Sequence, residues 1–98
     1  MEFEWDDAKN QRNIRKHGIS FKTAALAFID PLHVSIQDRI ENGEERWQTL
    51  GLVQGHVLLL VAHLVRNEGD GTEIIRIISA RKAEPKERRL YEQENHYC

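Results

Sequence analysis

With 14 Lys and Arg against 16 Asp and Glu, the 98-residue chain carries a formal charge of −2, which argues against a protein that coats nucleic acid broadly. The length supports one modest core and one domain, residues 1–98. Cys98 is the only cysteine, excluding an internal disulfide and a cysteine metal cluster; no stretch reaches the roughly 18 apolar residues of a membrane span, and the acidic start (Glu2, Glu4) lacks a secretory pattern. A cytoplasmic location is expected. The charge is nonetheless uneven. Lys9, Arg12, Arg15, Lys16 and Lys22 form an acid-free basic stretch, residues 76–89 are rich in cations, and residues 30–45 are acid-rich.

Phe3 and Trp5 suggest a short first strand or an apolar anchor. Asp6 is placed to cap a helix over 7–17, with Arg15, Lys16 and His17 at its negative end and Gly18 in the left-handed position beyond it. Ser20 reads as a second N-cap before the apolar stripe Phe21, Ala24, Ala25 and Phe28, and Asp30–Pro31 ends that helix. A short edge strand over 33–38 follows. Asn42–Gly43 is a tight-turn signal leading into a strand over 44–53; Gln54–Gly55 turns the chain into the most apolar segment, 57–65. A glycine-containing loop at 67–72 returns it into 73–82, and Pro85 opens a last helix with Leu90 and Tyr91 inward. The order is α+β: two N-terminal helices, a three- to four-stranded antiparallel sheet, and a C-terminal helix.

The strand Arg76–Ile77–Ile78–Ser79–Ala80–Arg81–Lys82–Ala83 mixes β-branched residues with cations. A partly buried arginine needs an anionic partner, a carboxylate or a phosphate. If the hairpins close by pairing Val53 with His56 and Arg66 with Glu73, one cross-strand row reads Arg46–His63–Arg76, with Trp47–Ala62–Ile77 on the other face. Two guanidiniums flanking an imidazole suit phosphodiester chemistry, because arginine forks hold phosphate oxygens and histidine moves protons near pH 7. RNA brings its own nucleophile, so neither metal nor cofactor is required. The alternative is that Arg46 and Arg76 pair with Glu44, Asp38 or Glu73 and His63 is a packed core histidine. Lys9, Arg12, Asn13 and Lys16 share one helix face, either as solvated charge or as a grip on an anionic partner. Lys16–His17–Gly18 is explained by capping, and no histidine pair has metal-ligand spacing.

Together, Phe3-x-Trp5–Asp6, Lys16–His17–Gly18–Ile19-x-Phe21, Phe28-x-Asp30, Glu45–Arg46, Arg76 to Ala83, Glu87–Arg88 and Tyr91 resemble the BrnT toxins, in order and spacing, over about residues 3–91. The resemblance implies a RelE-like fold, a bacterial type II toxin–antitoxin system, translation arrest by RNA cleavage, and a BrnA-like ribbon-helix-helix antitoxin forming a heterotetramer with the toxin. It carries over Glu45, Arg46, Arg76, Arg81 and Tyr91 as site residues. In the resulting reading Arg46 and Arg76 neutralise the scissile phosphate, and Glu45 or His63 is the base. Arg81, Lys82 and Lys16 hold RNA, Tyr91 stacks on a base, and Lys9 and Arg12 meet the antitoxin. The competing reading is a non-catalytic interaction module or an inactive toxin homologue.

Overall fold

In the computed structural model, residues 1–95 are described, with Glu41 described by its backbone alone; Cys98 lies outside them. The elements run β1 (Glu2–Glu4), α1 (Asp7–His17), α2 (Phe21–Ala25) extended by a 3-10 turn (Leu26–Ile29), β2 (Val34–Glu41), β3 (Glu44–Val53), β4 (Val57–Asn67), β5 (Glu73–Lys82) and α3 (Pro85–Glu94). Among the described residues, no helix is long and apolar enough to cross a membrane.

Local chemistry sets the helix ends. The Asp6 carboxylate accepts from the amides of Ala8 and Lys9 and starts α1, and Gly18 closes it at φ 72°. Ser20 caps α2 by accepting from the Thr23 amide. The interior of α1 is nearly free of apolar residues, so two asparagines attach it instead. Asn10 accepts from the Phe21 amide at 2.8 Å. Asn13, buried, donates to the carbonyls of Ile19 and Ala80 and accepts from the Ala80 amide. Through Asn13, α1 satisfies part of the β5 edge beyond the end of β1. Edges left bare invite pairing with other chains.

The sheet is five-stranded and mixed, in the order β1-β5-β4-β3-β2. It departs from the expected three- to four-stranded antiparallel meander because Glu2–Glu4 is a true strand, parallel to β5 with Phe3 beside Ile75. The core lies between one sheet face and α2 with its 3-10 turn, where Phe21, Ala24, Ala27 and Phe28 meet Val61, Ile75, Ile77 and Ala80. Trp5 meets Phe21 edge-on, and Phe3 tilts against Phe28. Gly51 lets β3 pass directly under the 3-10 turn: a Cβ there would sit 2.2 Å from the Ala27 carbonyl oxygen.

On the opposite face α3 covers one end. Arg81, paired with Leu60 and hence on that face, grips Glu87 in the first turn of α3 with two 2.8 Å bonds. The far end of α3 is fixed where Tyr91 donates to Asp30 and Asn95 donates to the Leu32 carbonyl. Leu50, Leu58 and Leu60, whose positions share this face, are buried. The other end of this face stays open.

Candidate nucleic-acid interface

The row Arg46–His63–Arg76 does not form. Gln54, Gly55 and His56 all lie in the loop, so Val53 pairs with Val57 rather than with His56. At the next hairpin Asn67, not Arg66, pairs with Glu73. Each slip moves the middle partner by one residue. Arg46 and Arg76 therefore still share a row, across Leu64 instead of His63. Glu4 and Arg39 extend it, giving Glu4–Arg76–Leu64–Arg46–Arg39 across all five strands. The two arginines are separated by two strand spacings, about 10 Å, over an apolar floor.

Both engage carboxylates at their margins. The Arg46 Nε lies 3.4 Å from Asp38, with the Arg46 side chain 23 % exposed. Arg76, 43 % exposed, lies 3.7 Å from Glu4, which bonds Arg66 more closely at 2.9 Å. Asp38 was among the carboxylates expected for these arginines; Glu4 was not, because its strand was unresolved in the sequence. Beside this row, Lys9, Asn42, Glu44, Arg46, Leu64 and Ile78 line a depression of about 230 Å³.

His63 occupies the other face, paired with Trp47 and Ile77. It is 3 % exposed. Its Nε2 lies 2.8 Å from the Thr49 hydroxyl, which in turn lies 2.8 Å from Ser35. The Phe28 ring stands edge-on at 4.8 Å. Burial pushes its pKa down to about 4, so it is a neutral imidazole near pH 7. Glu45 shares this face and bonds the Trp47 indole. The two residues expected as bases line a cleft of about 330 Å³ with Trp47, Phe28, His33 and Glu73. Two carboxylates and no Lys or Arg line it, the wrong charge for a phosphodiester.

Arg81 and Tyr91 sit with α3. The Arg81 row, through Leu60, is four residues down β4 from the Leu64 row, about 13 Å. Hydrogen bonding to Arg81 holds the Glu87 carboxyl below its usual range. Burial and the bond to Asp30 push the Tyr91 phenol up to about 12. Asp30 is pulled upward by burial, but bonds from Tyr91, the Leu52 amide and the Leu32 amide outweigh that and hold it low. Asp30, the last residue of the Phe28-x-Asp30 motif, thus joins the end of α3 to β3 through Tyr91 and the Leu52 amide, a junction that no local pattern signals. Lys82 is exposed at the far end of β5, near Arg88 and His56. Lys9, Arg12 and Lys16 line one depression along α1 with Ile78 and Ser79. Asn13, expected to share the role of those cations, is the buried anchor instead. Among the described residues, no group of three or more His, Cys, Asp or Glu side chains is placed to hold a metal ion.

The family model of the ribonuclease toxin BrnT, of type II toxin–antitoxin systems, matches residues 5–87. The chain belongs to the BrnT family. The match spans the elements from α1 to the first turn of α3, including both arginines of the row. A 1.1 Å crystal structure of the Brucella abortus ribonuclease toxin BrnT has the same fold, with a TM-score of 0.66, 24 % identity, and coverage of 86 % of this chain and 97 % of that one. No curated protein matches the chain. As a type II toxin family, BrnT brings with it a ribonuclease activity, an RNA substrate and an antitoxin partner.

Proposed function

We propose that this BrnT protein is a metal-independent endoribonuclease whose reaction is carried by the open sheet face. The supporting observation is the shared row of Arg46 and Arg76 over Leu64, with Lys9 beside it. Two guanidiniums on either side of an apolar floor grip a phosphodiester from both flanks and stabilise the charge that grows on its oxygens. The substrate's 2′-oxygen attacks phosphorus and the bond to the 5′-oxygen breaks. Glu44, the carboxylate in the same depression as Arg46, accepts the 2′-hydroxyl proton, and water protonates the departing 5′-oxygen. Products are a 2′,3′-cyclic phosphate and a 5′-hydroxyl. Glu45 and His63 are left out of the proton transfers because they lie across the sheet. Arg81 and Tyr91 seat α3, and Lys82 contacts more distant RNA.

The antitoxin, a BrnA-like ribbon-helix-helix protein, silences the enzyme in a heterotetramer by laying acidic and apolar side chains over the arginine row. Translation stops when the toxin is free. The test is incubation of purified protein with total RNA in excess EDTA, followed by end analysis. Cleavage with cyclic phosphate and 5′-hydroxyl ends is expected. Recovery of 5′-phosphate ends, or strict dependence on a divalent ion, would overturn the mechanism.

A further inference from the structure

The basic face of α1 is fixed next to the arginine row by two structural devices. Asn13 clamps the middle of α1 to the backbone of Ala80, setting the helix alongside β5. Between Ile77, paired with His63, and Ser79, paired with Ala62, β5 carries a bulge at Ile78. Such bulges bend a strand and re-aim its side chains. Ile78 lines both the depression holding Arg46 and the adjoining one, about 270 Å³, that runs along α1. Lys9 also lines both, so the two form one track.

The second depression has a distinct electrostatic character. Lys9, Arg12, Lys16 and His17 line it, with no carboxylate among its walls, whereas the first contains Glu44. Among the described residues no salt bridge engages Lys9, Arg12 or Lys16, and all three side chains are exposed. The three lie at helical spacings of three and four residues, covering about 10 Å of helix axis. That length serves more than one backbone phosphate. Asp6, the N-cap of α1, lies within electrostatic reach of Lys9 and Arg12, but its carboxylate is taken up by the amides of Ala8 and Lys9. A row of exposed cations continuous with a phosphate-gripping row fits a polyanion running along both.

We infer that Lys9, Arg12 and Lys16 form a flanking subsite that takes backbone phosphates of single-stranded RNA outside the scissile bond. This rests on the ribonuclease reading above and extends it: Arg46 and Arg76 hold the reacting phosphate, and the α1 stripe holds the strand leading to it. Lys9 is the link. The stripe contacts phosphates only, so it supplies affinity without base preference.

The test compares the wild type with Arg12→Gln/Lys16→Gln, which leaves Lys9 beside the arginine row untouched, using Arg15→Gln on the same helix as a charge control. Two probes are used: a non-cleavable 2′-O-methyl RNA decamer, read by anisotropy across a salt series, and a dinucleoside monophosphate, read by cleavage. The double variant is expected to bind the decamer at least tenfold more weakly, and its log–log salt slope should fall by about 1.4, since each single-strand phosphate contact contributes about 0.7. Dinucleotide kcat/KM should stay within twofold, because that probe does not reach α1. An unchanged salt slope, or a parallel loss on both probes, would overturn the subsite. So would unaltered decamer affinity accompanied by weakened antitoxin binding, which would make the stripe a protein interface. Wild type that binds the decamer through the stripe but cleaves neither the dinucleotide nor total RNA would uphold the subsite and refute the ribonuclease reading.

Discussion

The two faces of the central sheet use the same strands for opposite purposes. Beneath α2 and its 3-10 extension, alternate residues of β4 (Leu59, Val61, His63) are buried, and even the histidine is neutral and wedged against Phe28. One residue out of phase, Leu64 forms the floor between Arg46 and Arg76, and the charge there stays in reach of solvent. Titratable chemistry buried under helices is spent on packing, whereas charge placed on the uncovered face is available to a polyanion. Residue type alone does not distinguish these uses; the parity of a position along its strand does.

Exchanging residues on each face in turn is the strongest way to break this comparison. Arg46→Ala or Arg76→Ala should lower RNA cleavage by about 100-fold or more, the cost of losing one donor to developing charge. The melting temperature should move by only a few degrees, because their carboxylate partners are partly exposed and such pairs contribute little. Single-turnover cleavage set beside a thermal melt reads both quantities. A large melting shift with unchanged activity per folded molecule would make the row a structural ion-pair network.

His63 should behave in reverse. Its folded pKa of about 4 lies below the ordinary 6.5, so the unfolded chain takes up the proton first as pH falls. The stability this neutral histidine contributes is complete above about pH 6.5 and is lost as pH drops through 4. The loss amounts to about 3 kcal/mol. Urea unfolding between pH 7 and 4 measures that slope, and His63→Gln should remove its share while leaving cleavage per folded molecule within twofold. A hundredfold loss of cleavage at unchanged stability would return His63 to the chemistry.

The smallest effect sharpens the boundary between the covered and open ends of the arginine face. Tyr91→Phe removes the 2.6 Å bond to Asp30 and should cost about 1.5–2 kcal/mol, the lower part of the range for a hydrogen bond to a charged group. Denaturant midpoints should record that cost, with cleavage changed less than threefold. Loss of cleavage at an unchanged midpoint would place the phenol on RNA.

Local signals carried much of this fold. Asp6, Gly18 and Ser20 cap helices where their chemistry demands, and the turns at Asn42–Gly43 and Gln54–Gly55 separate strands near the expected bounds. Register was not legible. Gln54 and Gly55 both adopt positive φ, as a two-residue turn requires, yet His56 joins the loop and moves every pair by one. Arg46 and Arg76 remained together because the second hairpin slipped in the compensating sense, while His63 went to the other face; Glu45, next to Arg46 in β3, faces away from it in any register. The parallel pairing of β1 and the clamp of Asn13 depend on partners more than 60 residues away, beyond what periodicity reports. A poor helix former inside a helix almost without apolar residues was the available signal for Asn13.

The placement of β1 also bears on the order in which the sheet closes during synthesis. The first residues of the chain pair with Ile74, Ile75 and Arg76, and Asn13 waits for Ala80, 67 residues later. Contacts of such span close late, since the ordering of the intervening chain precedes any reward. Arg76 sits at the centre of that late closure, with Glu4 on one side and Leu64 on the other. Arg46 and Arg76 are set in one row by the consecutive β3–β4 and β4–β5 hairpins, and β1 adds Glu4 to that row only once β5 is in place. The edge strand β1 thus has no partner in the sheet until β5, some 70 residues further along, has followed it out of the ribosome.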